Sequence, residues 1–507
     1  MKTNFSKPQL LLIISFLVSF CDSSFAITEE ELAKDWCSRC HLFPEPDLLD
    51  RSTWMDHVLP EMGARLGFKK FRERSFNPNP SAPQGIYAKD PMLPSEDWER
   101  IINYYDESAP VHLKKPTKIS PTRTELFSIN LPSTPFSEFP ASTAVFIDEN
   151  GQRLLIGDSY RNSLEIYASD LALIGKIQLA GPISRIIKKR SEEYIVTTLL
   201  NSIAPSDQHG GELVEVNFSG GLSTTPSKAK RLARDLNRPV DVLSDDFNND
   251  GLSDYIVSNF GEHFGSLSFF TSLPDGSVER RDLFREAGPI SMKIFKNDLW
   301  LLNSQARERV IRIRNFRNNR GQDFQTILEF PPSYGSMTLK VADFNDDGLA
   351  DLIYLAGDNA DFSTVYKPYH GIYLFIGTQD GAFQQEMFYP LDGAYGAVIR
   401  DFDLDGDLDI AAISYFPNFE ESLDQATFVL LENNEGEFVP RFLNGLGKLG
   451  RYVAIDAGDL DGDGDQDIAL ANLAFGALGP LNPESAILDQ WLKGPQFVIL
   501  KNMTVQR

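Results

Sequence analysis

Four copies of one acidic loop, the first beginning at Asp246, constrain the fold more than any other feature of the chain. The fullest copy is Asp459-Leu-Asp-Gly-Asp-Gly-Asp-Gln-Asp467, with carboxylates at positions 1, 3, 5 and 9 (Asp459, Asp461, Asp463, Asp467) and Gly464 at position 6, where a sharp turn aims them inward. The others present Asp401, Asp403, Asp405 and Asp409; Asp343, Asn345, Asp347 and Asp351; and Asp246, Asn248, Asp250 and Asp254. Hard oxygen ligands on this spacing suit calcium first, so about four calcium ions are expected. An EF-hand would carry Glu at position 12 between helices. Here an apolar run follows position 9 at once (Leu352-Ile-Tyr-Leu, Ile410-Ala-Ala-Ile, Ile468-Ala-Leu), so each loop joins two strands.

The spacing of the loops gives the architecture. Asp246 to Asp343 is 97 residues, whereas Asp343 to Asp401 and Asp401 to Asp459 are 58 each. The first gap therefore holds two units, the hidden one at Ile290-Ser-Met-Lys-Ile-Phe-Lys-Asn-Asp-Leu-Trp-Leu-Leu, a strand-loop-strand without its aspartates. Two further degenerate copies precede it, at Thr143-Ala-Val-Phe-Ile-Asp-Glu-Asn-Gly with Leu154-Leu-Ile-Gly, and at Ser184-Arg-Ile-Ile with Tyr194-Ile-Val-Thr. A unit of four short strands cannot bury both faces alone, so seven of them predict an all-β seven-bladed β-propeller over residues 124–507. The final unit stops after Phe497-Val-Ile-Leu-Lys, and the unassigned run Leu126-Phe-Ser-Ile-Asn-Leu is expected to supply its missing strand. These repeats resemble the FG-GAP/VCBS family, the calcium-loop propeller also found in integrin α subunits. The resemblance rests on the D-x-[DN]-x-D-G-x-x-D copies, with partial Phe-Gly echoes at Phe260-Gly261 and Phe475-Gly476. It implies calcium in the four complete loops and not in blades 1, 2 and 4.

Residues 1–26 read as a secretory signal peptide: Lys2 and Lys7, an apolar core from Leu10 to Phe20, then Ser24-Phe25-Ala26 as the cleavage site. A lipid anchor at Cys21 is the alternative, opposed by the bulky Phe20 before it. No later run approaches the ~18 apolar residues of a transmembrane segment. The expected location is the periplasm, the cell surface or the extracellular space. Thr28 and Glu31 form a capping box, opening a helix that carries Leu32 and Trp36 and leads into Cys37-Ser-Arg-Cys40-His41. C-x-x-C-H is the covalent haem c signature: thioethers from two cysteines hold one porphyrin edge and set the adjacent imidazole under the iron. A thiol redox motif would want a thioredoxin-like βαβ context, and a zinc site lacks its fourth ligand.

A haem domain also needs a helical wrapper. Asp50 to Leu59 reads as helical through Trp54 and Val58, with Pro60 expected to bend or end it just before Met62. Ser95 is expected to cap a helix from Glu96 to Tyr105, whose Trp98, Ile101, Ile102 and Tyr105 make one apolar stripe. Residues 27–110 thus resemble short class I cytochrome c domains, small and all-α, in which the first and last helices cross and a Met is the sixth ligand. Met62 is the leading candidate for that ligand and Met92 the second, with His57 or an open site as the remaining alternatives. Residues 111–123 hold prolines and a basic cluster, read as a semi-stiff, solvated linker. The whole chain resembles exported bacterial proteins that pair a C-x-x-C-H module with such a propeller.

A net charge of −24 disfavours nucleic acid and anionic membrane as partners. No Gly-x-Ser-x-Gly elbow, His-Glu-x-x-His or nucleotide-binding glycine loop points to catalysis. The leading expectation is an electron carrier rather than an enzyme. Haem c would sit on Cys37, Cys40 and His41, with Arg39 and the loop near Met62 lining its exposed edge, and the calcium-stapled propeller would dock a redox partner protein. The alternatives are a haem-relay oxidoreductase with a substrate site on the propeller face, and a calcium-dependent module that binds glycans or proteins.

Overall fold

Apolar runs of about six residues bounded by turn signals should be strands covered on both faces, and this is how the chain folds. The computed structural model describes residues 27–72, 74–75, 82–132, 140–200, 203–204, 206–218, 229–319, 323–360, 365–474 and 485–505. The signal segment and the Phe475-Gly476 echo lie outside the described residues. From residue 127 onward the strands form seven antiparallel sheets of four, each a blade. Their innermost strands are Ser142–Asp148, Ile183–Arg190, Pro239–Asp245, Pro289–Phe295, Ser336–Ala342, Ala394–Arg400 and Tyr452–Gly458. Each touches the next around a closed ring, the seventh meeting the first. The second strands, such as Asp351–Ala356 and Asp409–Ser414, are buried along their whole length, and apolar clusters lie between successive blades.

The seventh blade is finished by the early strand Phe127–Asn130, which pairs antiparallel with Phe497–Asn502. Just before it, Thr122–Arg123 adds a short parallel strand to the outer edge of blade 6. In every blade the pairing of the first two strands carries a bulge at the start of the inner one, as between Ser142 and Ala144 or Ser336 and Thr338.

Among the described residues, three α-helices of seven residues or more precede the propeller: α1 (Glu29–Cys37), α2 (Leu59–Arg65) and α3 (Ser95–Ser108). The capping box of α1 is formed, the Glu31 N–H donating to Thr28 Oγ1 at 3.2 Å and the Thr28 N–H to Glu31 at 2.9 Å. Helices α1 and α3 pack together, and Leu32, Ala33, Trp98, Ile101, Ile102 and Tyr105 share one core with Trp54 and Leu59. Two local expectations are corrected. Pro60 does not end the second helical run: a π-helical turn at Trp54–Val58 precedes it and places the proline in the first turn of α2, where no N–H is needed. Ser95 does not cap α3; Pro94 holds that position, with no side-chain cap bond, and Ser95 is the first helical residue.

The linker is tied down as well. Lys115 and Lys118 pair with Glu420 and Glu421 of blade 6 at 2.6 and 2.7 Å, so its basic cluster is partly neutralised against the propeller.

Ring closure gives a direct test. Phe127 is buried and meets Phe402 edge-on at 5.6 Å. Phe127→Ala should cost about 3–5 kcal/mol of propeller stability in denaturant unfolding, whereas truncating the exposed linker residue Ile119 should cost less than about 0.5 kcal/mol.

Candidate functional site

The C-x-x-C-H motif runs off the C-terminal end of α1. Cys37 is the last helical residue and packs against the helical core, while Cys40 is exposed and His41 half-buried. Both thiols are free. Burial pushes the Cys37 thiol up to about 11. His41 Nδ1 lies 2.9 Å from the Leu42 carbonyl, so Nδ1 carries the proton and the Nε2 lone pair is left to ligate. Burial, with Arg307 and Arg65 nearby, pushes the imidazole below its ordinary range and keeps it neutral, the form that binds a metal.

Met62 on α2 packs against the same core as Cys37, whereas Met92 is 57% exposed and His57 lies on the surface. Gly63 beside Met62 sets how closely α2 approaches α3, since a Cβ there would come within 2.8 Å of the Trp98 ring. Arg39 stacks on Trp36 at 3.6 Å and pairs with Asp35 at 2.6 Å. The donor set fits haem c: two unpaired thiols three residues apart and one neutral imidazole with Nε2 available.

The propeller reaches this motif through backbone atoms. Arg307, in the turn between the second and third strands of blade 4, donates from Nε to the Cys40 carbonyl at 2.9 Å. Tyr369, in the corresponding connection of blade 5, donates from its hydroxyl to the Leu48 carbonyl at 3.1 Å and stacks on Tyr334 at 4.4 Å. Neither residue carries a local signal that sequence reading could have used. The pairing is long-range and follows from the ring.

The four acidic loops occupy the opposite face, between the first and second strands of blades 3, 5, 6 and 7. Each has one internal wiring. The position 1 carboxylate (Asp246, Asp343, Asp401, Asp459) accepts the N–H of the position 6 glycine at 2.8–3.2 Å. That glycine stands at φ between +83° and +103° in Gly251, Gly348, Gly406 and Gly464, which favours glycine strongly. Position 3 oxygens of Asn248, Asn345 and Asp403 accept the N–H of position 5, and position 5 oxygens of Asp250, Asp347, Asp405 and Asp463 accept that of position 7.

Position 9 does more than face the loop. Asp351, Asp409 and Asp467 each take two N–H donors, one from position 2 of the loop and one from the end of the third strand (Phe344 and Gly377; Phe402 and Asn433; Leu460 and Asn502). Asp254 takes the Ser272 N–H in the same way. Spacing alone marks position 9 as a ligand. Its second role, as a buried clamp on the blade, appears only when the third strand is in place.

Asp401, Asp403 and Asp409 converge, with one oxygen from each within 4.8 Å of the others, as do Asp459, Asp461 and Asp467. Burial and the neighbouring carboxylates push Asp409 and Asp467 up to about 7. Lys501 reaches into the blade 7 loop, pairing with Asp461 and lying 3.6 Å from Asp463, so a cation of the chain already answers this charge. A third converging group, Asp207, Glu262 and His263, has another explanation: Asp207 accepts the N–H groups of residues 262, 263 and 264 and so ties two loops together.

The sign of the carboxylate shifts sets a pH test. A raised folded-state pKa contributes stability that is whole below the ordinary carboxylate value and is lost as pH rises through about 7 for Asp409 and Asp467. Calcium binds the ionised form. The gain in melting temperature on adding calcium to chelated protein should therefore grow from pH 5 to pH 8. At free calcium about 100-fold above Kd, each site should add about 2.7 kcal/mol. A gain that stays flat or shrinks with pH counts against calcium in these loops. Lys501→Met should tighten calcium at blade 7, read as a lower midpoint in a calcium titration.

No family model matches the chain, and no curated protein matches it. Among solved structures, similar ones include the N-terminal domain of Nup159, at 11% identity over 71% of this chain and 96% of that one with a TM-score of 0.42. Others are the Myceliophteria thermophila Cps50 (Swd1) β-propeller domain, at 13% identity over 68% and 96% with a TM-score of 0.43, and a luciferin-regenerating enzyme, at 12% identity over 62% and 98% with a TM-score of 0.37. The seven-bladed propeller is read from the sheet order and the closed ring of inner strands.

Proposed function

We propose that this chain is an exported electron-transfer protein in which a helical haem c unit rides on a calcium-stabilised propeller. The observation that carries the reading is His41 with Nδ1 committed to the Leu42 carbonyl and Nε2 left over, in a motif whose Cys37 and Cys40 form no disulfide. Haem c bound there supplies reversible one-electron exchange. Cys37 and Cys40 would hold the porphyrin edge, His41 would be the proximal ligand, and Met62 would be the sixth. Calcium in the four complete loops would hold the strand turns of blades 3, 5, 6 and 7.

The chain's own groups prepare the site in three ways. The Leu42 carbonyl fixes the ring tautomer of His41. Arg307 anchors the Cys40 carbonyl, and with Arg65 it disfavours protonation of the imidazole. Arg307 at Cys40 and Tyr369 at Leu48 tie the helical unit to the propeller, so a redox partner protein docking on that face would meet a fixed orientation. Covalent attachment suits a protein that must keep its cofactor outside the cell, in the periplasm or at the surface.

The test is production alongside cytochrome c maturation machinery, followed by a haem stain and a reduced-minus-oxidised spectrum. Haem should survive denaturing electrophoresis in the wild type and be lost in Cys37→Ala/Cys40→Ala. The Met-to-iron charge-transfer band should vanish in Met62→Ala and persist in Met92→Ala. A colourless product under conditions that mature other cytochromes would overturn the redox reading.

A further inference from the structure

The inner strands carry a set of charges that neither the haem motif nor the calcium loops use. Arg185 and Asp241 are each the third residue of their inner strand in blades 2 and 3, while Lys293, Lys340 and Asp456 are each the fifth in blades 4, 5 and 7. Arg400 ends the inner strand of blade 6. These six side chains come from six different blades, while the strand-end carboxylates Asp148 of blade 1 and Asp245 of blade 3 are paired with Lys188 and Arg317.

Neighbouring inner strands bring these groups together. Lys293 and Lys340 hold the same position on inner strands that pack against each other, and Asp241, 3.3 Å from Arg185, accepts the N–H of Met292 just before Lys293. After burial, Arg400 and Arg185 both lower the proton affinity of Lys293. Lys340 is pushed down to about 8, by burial first and then by Arg185, even though Asp241 and Asp456 pull the other way. Lys293 is nevertheless exposed to solvent and Lys340 half-exposed, so the ring of inner strands leaves an axial opening at their level.

The two carboxylates are already engaged. Asp241 accepts the Met292 N–H at 2.8 Å and the Val242 N–H at 3.0 Å, and lies 3.3 Å from Arg185 Nε. Asp456 accepts the Ile147 N–H at 2.8 Å. Arg400 is spread over the Ile399 and Ala457 carbonyls and Gln466. Among the described residues, Lys293 and Lys340 have neither a hydrogen bond nor an ion pair, whereas Arg185 and Arg400 are both engaged. Uncompensated ammonium groups held together in a confined space are costly unless an anion joins them.

One mouth of the channel is closed. Ile203, from the connection between the second and third strands of blade 2, packs on Tyr395, Tyr415, Phe416, Val453 and Leu473 of blades 6 and 7, and Arg238, at the start of blade 3, holds its carbonyl at 3.1 Å. The charged level is therefore reached from the face that carries the acidic loops.

We propose that the axial channel is a binding site for a small oxyanion of charge −2, held by Lys293 and Lys340 with Arg185 and Arg400 around it. Two ammonium groups without a partner among the described residues match one such dianion. Sulfate, hydrogen phosphate and short dicarboxylates share this chemistry. The inference is independent of haem.

The probe is sulfate, titrated into calcium-saturated full-length protein at constant ionic strength against chloride, with melting temperature and calorimetric heat as readouts. Sulfate should bind the wild type saturably and raise its melting temperature. Lys293→Met/Lys340→Met should bind at least 10-fold more weakly and, with its repulsion removed, melt above the wild type in chloride. The single variant Lys293→Met, at the more exposed position, should weaken binding in the same direction if the double variant does not fold. An equal sulfate response in wild type and variants, a response that never saturates, or a variant that melts lower in chloride overturns the proposal, the last because the lysines would then be structural partners of Asp241 and Asp456. Hydrogen phosphate and malonate, run without calcium, separate the inorganic from the dicarboxylate source.

Discussion

The propeller depends on one pairing, that of Phe127–Asn130 with Phe497–Asn502, which joins the two ends of the chain in a single sheet. Without it blade 7 would end on an unpaired edge, and the seam with blade 1 would lose its backing. At that seam Tyr167 meets Phe497 at 4.8 Å and the Ile147 N–H is held by Asp456. Loop-closure entropy opposes a pairing between such distant segments, but it grows only by about 0.6 kcal/mol per doubling of loop length, so the distance is affordable once the blades between have formed. The same strand fixes where the helical unit can sit. Residues 115–123 must run along blade 6, held by Glu420, Glu421 and the edge of Glu437–Phe442, before the chain enters blade 7.

Burying carboxylates along the strand turns needs compensation, and the blades differ in how they provide it. In the acidic loops the position 9 aspartate is satisfied by backbone N–H groups, while positions 1, 3 and 5 gather at the surface and hold the N–H groups of their own turn. The dication proposed above would sit among them. Blade 1 lacks the loop, and there Asp148, at the matching turn, is held by Lys188 of blade 2 and the Tyr194 hydroxyl. A side-chain ammonium takes the place that a bound ion would fill elsewhere. Blade 7 combines the two devices, with Lys501 on Asp461 and near Asp463 in a complete loop.

Features that repeat were legible in the sequence. The seven units, the donated closing strand and the apolar stripe of α3 follow from period and pattern, and the structure has each of them. Features set by context were not. The π-helical turn that accommodates Pro60 depends on packing around Trp54, whose Nε1 donates to the Pro46 carbonyl at 2.9 Å. Position 4 of the acidic loops is left-handed in all four copies, yet it is filled by Asn249, Asp346, Leu404 and Gly462, so no residue type announces it. Arg307, Lys501 and the position 9 clamp act on residues brought near only by closing the ring. For the candidate site, donor identity was legible and donor surroundings were not: C-x-x-C-H can be read from spacing, but the Leu42 carbonyl on Nδ1 and the guanidinium across the interface cannot.

The turn that presents Arg307 argues that the contact between helical unit and propeller is built rather than incidental. Gln305 and Ala306 stand at φ +67° and +68°, and the Arg307 N–H donates back to the Gln305 carbonyl at 2.9 Å, a three-residue turn of the rarer, strained hand. Left-handed conformations cost non-glycine residues about 1–2 kcal/mol each, and neither position is the glycine that would relieve this. The surroundings hold the turn in place. Buried Asn303 donates to the carbonyls of Ala287, Ser304 and Arg307, and the Ser304 N–H is held by the Gly288 carbonyl at 2.8 Å. Strain kept by so many bonds is most economically understood through what it delivers. It aims the Arg307 guanidinium at the Cys40 carbonyl and close to His41, with Glu286 at 3.5 Å steadying its other end. Because the anchor grips a main-chain oxygen, it fixes the backbone of the motif without engaging either thiol or the imidazole Nε2.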